Sequence, residues 1–89
     1  MNLTNLRDEI DKVDKELLKL FIRRMNLVTN IAEIKRENGL PIFNKERETE
    51  IIRRISAETP KFNDEAAEFF QNIMDISKKI QAKLMSNNI

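Results

Sequence analysis

From Leu3 to Asn38 the chain contains neither glycine nor proline, and apolar residues return every three or four positions: Leu6, Ile10, Val13, Leu17, Leu20 and Phe21, Leu27 and Val28, Ile31, Ile34. That spacing keeps one face of an α-helix apolar, so the stretch is predicted as one long amphipathic helix. At ~1.5 Å of rise per residue it spans roughly 50 Å. A compact chain of 89 residues has a radius of gyration of about 12 Å and a diameter of about 30 Å. The remaining residues are too few to cover such a helix. The simplest remedy is a symmetric dimer in which the long helices of two copies pack against each other. The alternative is a kink or a frayed end, which the lack of Gly and Pro disfavours.

Gly39 is the only glycine, a natural left-handed cap for this helix, and Pro41 follows it. Asn44 offers an N-cap for a second helix with Ile51, Ile52 and Ile55 on its inner face. Pro60 disfavours helical geometry at Thr59 and ends that helix. A third helix is expected from Asn63 or Asp64 to beyond Leu84, with Ala66, Phe70, Ile73, Ile80 and Leu84 on its apolar stripe. No strand pattern is present. The fold class is therefore all-α: three helices (long, short, medium) in a single domain over residues 1–89, paired as a homodimer.

Composition narrows the chemistry. The chain has no Cys and no His, which excludes disulfides, zinc sites and histidine-based acid–base or nucleophilic catalysis. Lys and Arg number 16 against 15 Asp and Glu, and the signs alternate along the chain. Such a distribution offers no field for nucleic acid or an anionic membrane. No stretch approaches the ~20 apolar residues of a membrane span. MNLTNLRDEI, moreover, has no basic segment leading into an apolar core, so a cytoplasmic location is expected. Any chemistry must come from Arg, Lys, Glu, Gln or Ser.

Polar residues on the apolar stripes are the informative ones, because an unpaired charge is costly to bury. Arg24 lies four residues after Leu20 and four before Val28, on the stripe, while its neighbour Arg23 is turned about 100° away toward solvent or the rim of a dimer. Lys35 comes 11 residues after Arg24, which returns it to within about 20° of the same face. Glu48 precedes Ile52 and Ile55 by four and seven, and Ser77 and Gln81 are four apart on the third helix. Each has a plainer reading. Arg24 could pair with Glu48, Lys35 could snorkel at its helix end, and Ser77 fits any core. Asn44 could serve only as an N-cap, Arg47 could be solvated or paired, and Gln81 sits at the edge of its stripe. Together, five polar residues on the inner faces exceed what so small a core can hold without a ligand to satisfy them. The excess of cations points to a small anion. Arg7 precedes Arg24 by 17 residues, roughly 25 Å along a helix, so it is either a surface residue of the first turns or enters the pocket of a second copy.

The ordered set Leu6-Arg7-x-x-Ile10-x-x-Val13-Asp14-x-x-Leu17-Leu18, Arg23-Arg24, Ile34-Lys35, Pro41-Ile42, Arg47-Glu48 and Ser77-x-x-x-Gln81 resembles the all-helical class of chorismate mutases. The resemblance covers nearly the whole chain. It implies an intertwined homodimer with two equivalent pockets and no cofactor or metal. The implied reaction converts chorismate to prephenate on the way to phenylalanine and tyrosine. By the same resemblance, Arg24 and the partner copy's Arg7 clamp the two substrate carboxylates. Lys35 contacts the ether oxygen and a neighbouring carboxylate, and Gln81 is the second donor to that oxygen. Glu48 accepts from the ring hydroxyl, Ser77 lies near the ring carboxylate, and Arg47 supports them. Asn44 stands where well-known members carry Asp, a departure that costs little if the side chain serves to cap the helix.

A pericyclic rearrangement needs no nucleophile, metal or proton transfer, in keeping with a chain that lacks Cys and His. Two other readings remain in view. An isochorismate-pyruvate lyase shares the fold and cationic pocket but, in this pattern, lacks the acid found here as Glu48. A non-catalytic helical dimerisation module would have no use for converging Arg24, Lys35, Glu48 and Gln81.

Overall fold

A computed structural model of the protein describes residues 2–86. It consists of three α-helices, α1 (Leu3–Glu37), α2 (Lys45–Glu58) and α3 (Asn63–Ser86), with no strand among the described residues. The long helix is unbroken over 35 residues. Asn2 caps its start, its side chain accepting from the Asn5 N–H at 2.8 Å. At its end Gly39 has φ 63°, the left-handed geometry that glycine adopts freely. The Gly39 N–H donates to Arg36 O and the Leu40 N–H to Lys35 O, which is the Schellman arrangement that stops a helix. Asn44 caps α2 by accepting from the Arg47 N–H at 3.0 Å, and Glu46 and Glu48 in the first turn favour the helix dipole. Thr59 closes α2 just before Pro60, as expected.

Helix α3 packs against both α1 and α2. The core so formed is small: Met25, Val28 and Ala32 of α1, Ile51 of α2, and Met74 of α3, with Ser77 and Gln81 also buried. The faces differ in detail from the periodicity. Leu27, Ile31 and Ile34 are 45–55% exposed, and the row against α3 is Met25–Val28–Ala32 instead. On α3, Ala66, Phe70, Ile73, Ile80 and Leu84 are half-buried while Met74, Ser77 and Gln81 go deepest. The reason is circumference: α1 has apolar residues around more of its surface than one neighbouring helix can cover.

The molecule measures 55 × 26 × 14 Å, with a radius of gyration of 16.3 Å, against about 12 Å for a compact chain of this length. Leu3, Leu6, Ile10, Val13 and Leu17 are 44–61% exposed along the first half of α1. A bare apolar stripe of that length is the mark of an interaction face. Within the described residues no helix is long and apolar enough to cross a membrane.

Candidate active site

A cavity of about 350 Å³ opens between the C-terminal half of α1, the start of α2 and the middle of α3. Its α1 wall is Arg24, Leu27, Val28, Ile31 and Lys35, so Leu27 and Ile31 of the predicted stripe line a hollow rather than a core. Arg24 and Lys35 do share one face, and Asn44, Arg47, Glu48, Ser77 and Gln81 complete the polar lining. Seven of the eight expected site residues therefore meet in one place.

Arg24 donates from Nη1 to Ser77 Oγ at 3.0 Å, and Ser77 in turn donates to Ile73 O at 2.8 Å. Ser77 thus accepts from the arginine and fixes one edge of the guanidinium. Burial, and then the charge of Arg47, hold Arg24 below the usual guanidinium range. Lys35 reaches the 39–44 connection, donating to Ile42 O at 2.7 Å. Burial lowers its pKa, opposed by the attraction of Glu48. Arg47 is tied to Glu50 at 2.9 Å on the rim. The Asn44 side chain is occupied in capping α2, as the plainer reading of that residue expects. Gln81 is 5% exposed, and its Oε1 is buried with no hydrogen-bond partner. That oxygen can only accept and so calls for a donor; it is the amide Nε2 that can donate to a ligand oxygen.

One outcome differs from the plainer sequence reading, and Arg7 falls where its distance from Arg24 requires. Glu48 is paired with Lys78, not with Arg24: Lys78 Nζ lies 2.9 Å from Oε2 and 3.2 Å from Oε1, and Gln71 Nε2 donates to Oε1 at 3.2 Å. Lys78 and Gln71 were not singled out by the stripes of α3. The signal for them is the spacing Gln71–Met74–Lys78–Gln81, three, four and three residues apart, around a methionine that proves to be core. Arg7 is exposed on α1 and is not part of the cavity of its own chain.

The electrostatic balance is lopsided. Four cations, Arg24, Lys35, Arg47 and Lys78, face the cavity against one acid, Glu48. Glu48 is taken by Lys78 and Arg47 by Glu50. Among the described residues Arg24 and Lys35 form no ion pair, although both are partly withdrawn from water. Two partly desolvated cations about a largely apolar-walled hollow favour an anionic occupant.

Comparison with known proteins agrees with this chemistry. Residues 6–82 match the family model described as Chorismate mutase type II. The chain is 35% identical over 86 residues to the chorismate mutase of Methanocaldococcus jannaschii, covering 93% of this chain and 87% of that one. It is 45% identical over 58 residues to the T-protein of Haemophilus influenzae, covering 63% of this chain and 15% of that protein. It is also 36% identical over 87 residues to the bifunctional chorismate mutase/prephenate dehydratase of Buchnera aphidicola, covering 94% of this chain and 23% of that protein. The chain thus spans less than a quarter of the two longer relatives. No solved structure matches significantly.

Proposed function

The chain belongs to the chorismate mutase type II family, and from that membership we propose that it converts chorismate to prephenate in a cavity completed by a second copy of itself. The observation that carries the reading is the meeting of Arg24, Lys35, Glu48, Ser77 and Gln81 around one cavity in which Arg24 and Lys35 form no ion pair among the described residues.

The reaction is an intramolecular rearrangement: the ether C–O bond breaks, a C–C bond forms, and no atom enters or leaves. The protein has two tasks. It must hold a flexible dianion in the compact conformer that brings the reacting carbons together, which arginines do through planar, two-pronged contacts. Arg24, steadied by Ser77, holds one carboxylate, with Arg7 of the second copy on the other. Charge also grows on the ether oxygen as C–O cleavage runs ahead of C–C formation. Donors placed there in advance stabilise the transition state more than the bound substrate. Lys35 and Gln81 are those donors. Glu48 accepts from the ring hydroxyl, Arg47 backs the carboxylate site from the rim, and Asn44 orders the start of α2. The reading needs no cofactor and places the enzyme in the cytoplasm.

The second copy is part of the proposal. It is supported by the bare stripe of α1 and by a second, apolar hollow of about 600 Å³ bounded by Leu17, Leu18, Phe21, Phe69 and Phe70. Such surfaces in a domain with so few core residues favour an extensive, obligate interface.

The direct test follows loss of chorismate absorbance on adding purified protein, with isochorismate in parallel. Turnover of chorismate alone is expected. Cleavage of isochorismate without turnover of chorismate would install the lyase reading instead, and inertness toward both would leave a dimerisation module.

Gln81→Glu provides a finer test. A neutral amide donates at every pH, whereas a carboxyl donates only when protonated. The variant is therefore expected to be most active in acid and to lose activity as pH rises through the pKa of the new side chain. A pH–rate profile for kcat as flat as that of the unaltered protein would remove Gln81 from the ether oxygen.

A further inference from the structure

We propose that Lys78 is a positioning residue for Glu48, holding its carboxylate on the α3 side of the cavity and so keeping it away from Lys35. The inference rests on the mutase reading of the cavity for what Glu48 and Lys35 do, but the Lys78–Glu48 contact stands on geometry alone.

The ammonium of Lys78 is held from several directions. It touches both oxygens of Glu48 on α2, at 2.9 and 3.2 Å, and Asp75 Oδ1 on its own helix at 3.2 Å. It also lies over the ring of Phe43, 4.8 Å from the centroid, in the connection that precedes α2. Its side chain is 28% exposed and that of Glu48 17%, whereas the lysines of the α1 surface pairs with Glu9 and Glu16 are 74–75% exposed. The Lys78 pair is therefore a fixed, partly desolvated contact and not one of the loose surface bridges that contribute little. Gln71 adds a third hydrogen bond to Glu48 from the same side, and its other contact, to Asp75 at 3.1 Å, fixes the amide. The contact with Glu48 raises the pKa of Lys78, opposed by burial and helped by Asp75.

What this prevents follows from the other cations. Glu48 already acts electrostatically on Lys35, opposing the effect of burial there. Among the described residues Arg24 and Lys35 form no ion pair. A carboxylate released from α3 would swing toward them and neutralise the charge that a dianionic substrate requires. Lys78 thus does two jobs with one contact: it aims the acceptor and leaves Lys35 free to donate.

The test is a double-mutant cycle with Glu48. Lys78→Met keeps most of the apolar stem and removes the charge, and Lys78→Arg keeps the charge. In the unaltered background Lys78→Met is expected to lower kcat about tenfold, and Lys78→Arg to stay within about threefold. In a Glu48→Gln background the same Met substitution is expected to cost less than about twofold, because its effect passes through Glu48. An equal loss in both backgrounds, or no loss in the first, overturns the proposal. Absence of chorismate turnover by the unaltered protein would instead defeat the mutase reading. The contact is then read without activity from the carbon-13 shift of the Glu48 carboxylate at neutral pH. That shift is expected to move in Lys78→Met and to stay in the control Lys79→Met. An unmoved shift in Lys78→Met overturns the role of Lys78 whatever the substrate.

Discussion

Lys35→Ala is expected to lower kcat about 10²- to 10³-fold, the usual cost of roughly 3–4 kcal/mol for removing one preorganised donor to a developing oxyanion. The magnitude follows from the setting of the ammonium. Lys35 is partly buried, forms no ion pair among the described residues, and spends a hydrogen bond on Ile42 O at 2.7 Å. That leaves two of its three donors for a ligand. In such a site the charge acts through a medium less screening than water, so it favours the charge-separated transition state over the bound ground state. The substitution also unties the connection before α2 from the end of α1, which would weaken substrate binding. The two effects separate in the kinetics: the lost donor lowers kcat, and the loosened connection raises KM. Lys35→Gln, which keeps a neutral donor, should fall between. A kcat for Lys35→Ala within about fivefold of the unaltered enzyme would place the ether oxygen elsewhere in the cavity.

The elements and their ends were legible because each depends on local chemistry. Gly39 ends α1 in a left-handed cap, Asn44 opens α2, and Pro60 limits it at Thr59. The convergence of Arg24 and Lys35 was legible for the same reason, since an interval of 11 residues returns to one helix face. Periodicity does not say what covers a face. Leu27 and Ile31 repeat as core residues do, yet they wall a cavity, and Leu6, Ile10 and Val13 stay exposed on α1. Partner choice was equally hidden. Glu48 had several cations within reach by register, and its pairing with Lys78 depends on how α3 packs against α2, a tertiary quantity that helix register alone does not fix.

Mixing Arg7→Ala with Arg24→Ala, each expected to be about a hundredfold or more impaired alone through loss of a carboxylate clamp, should restore activity to about a quarter of the sites. Arg7 and Arg24 are 17 residues apart on one straight helix, roughly 25 Å, so one chain cannot place both on one small substrate. An antiparallel pairing can. Leu20 is the midpoint of α1, and two copies crossing there would set Arg7 of one opposite residue 33 of the other. Residue 33 falls within the Arg24-to-Lys35 stretch that walls the cavity. Each site would then draw Arg24 from one copy and Arg7 from its partner. In a mixed dimer one site combines both intact arginines and the other neither. Random exchange makes half of the dimers mixed, and each of those has one intact site in two, hence a quarter overall. Native mass spectrometry would establish that exchange has occurred. Recovery after confirmed exchange requires Arg7 to act across the dimer. A mixture that stays as inactive as its components would return Arg7 to the surface of α1 and require the second carboxylate clamp to come from a residue already in the cavity.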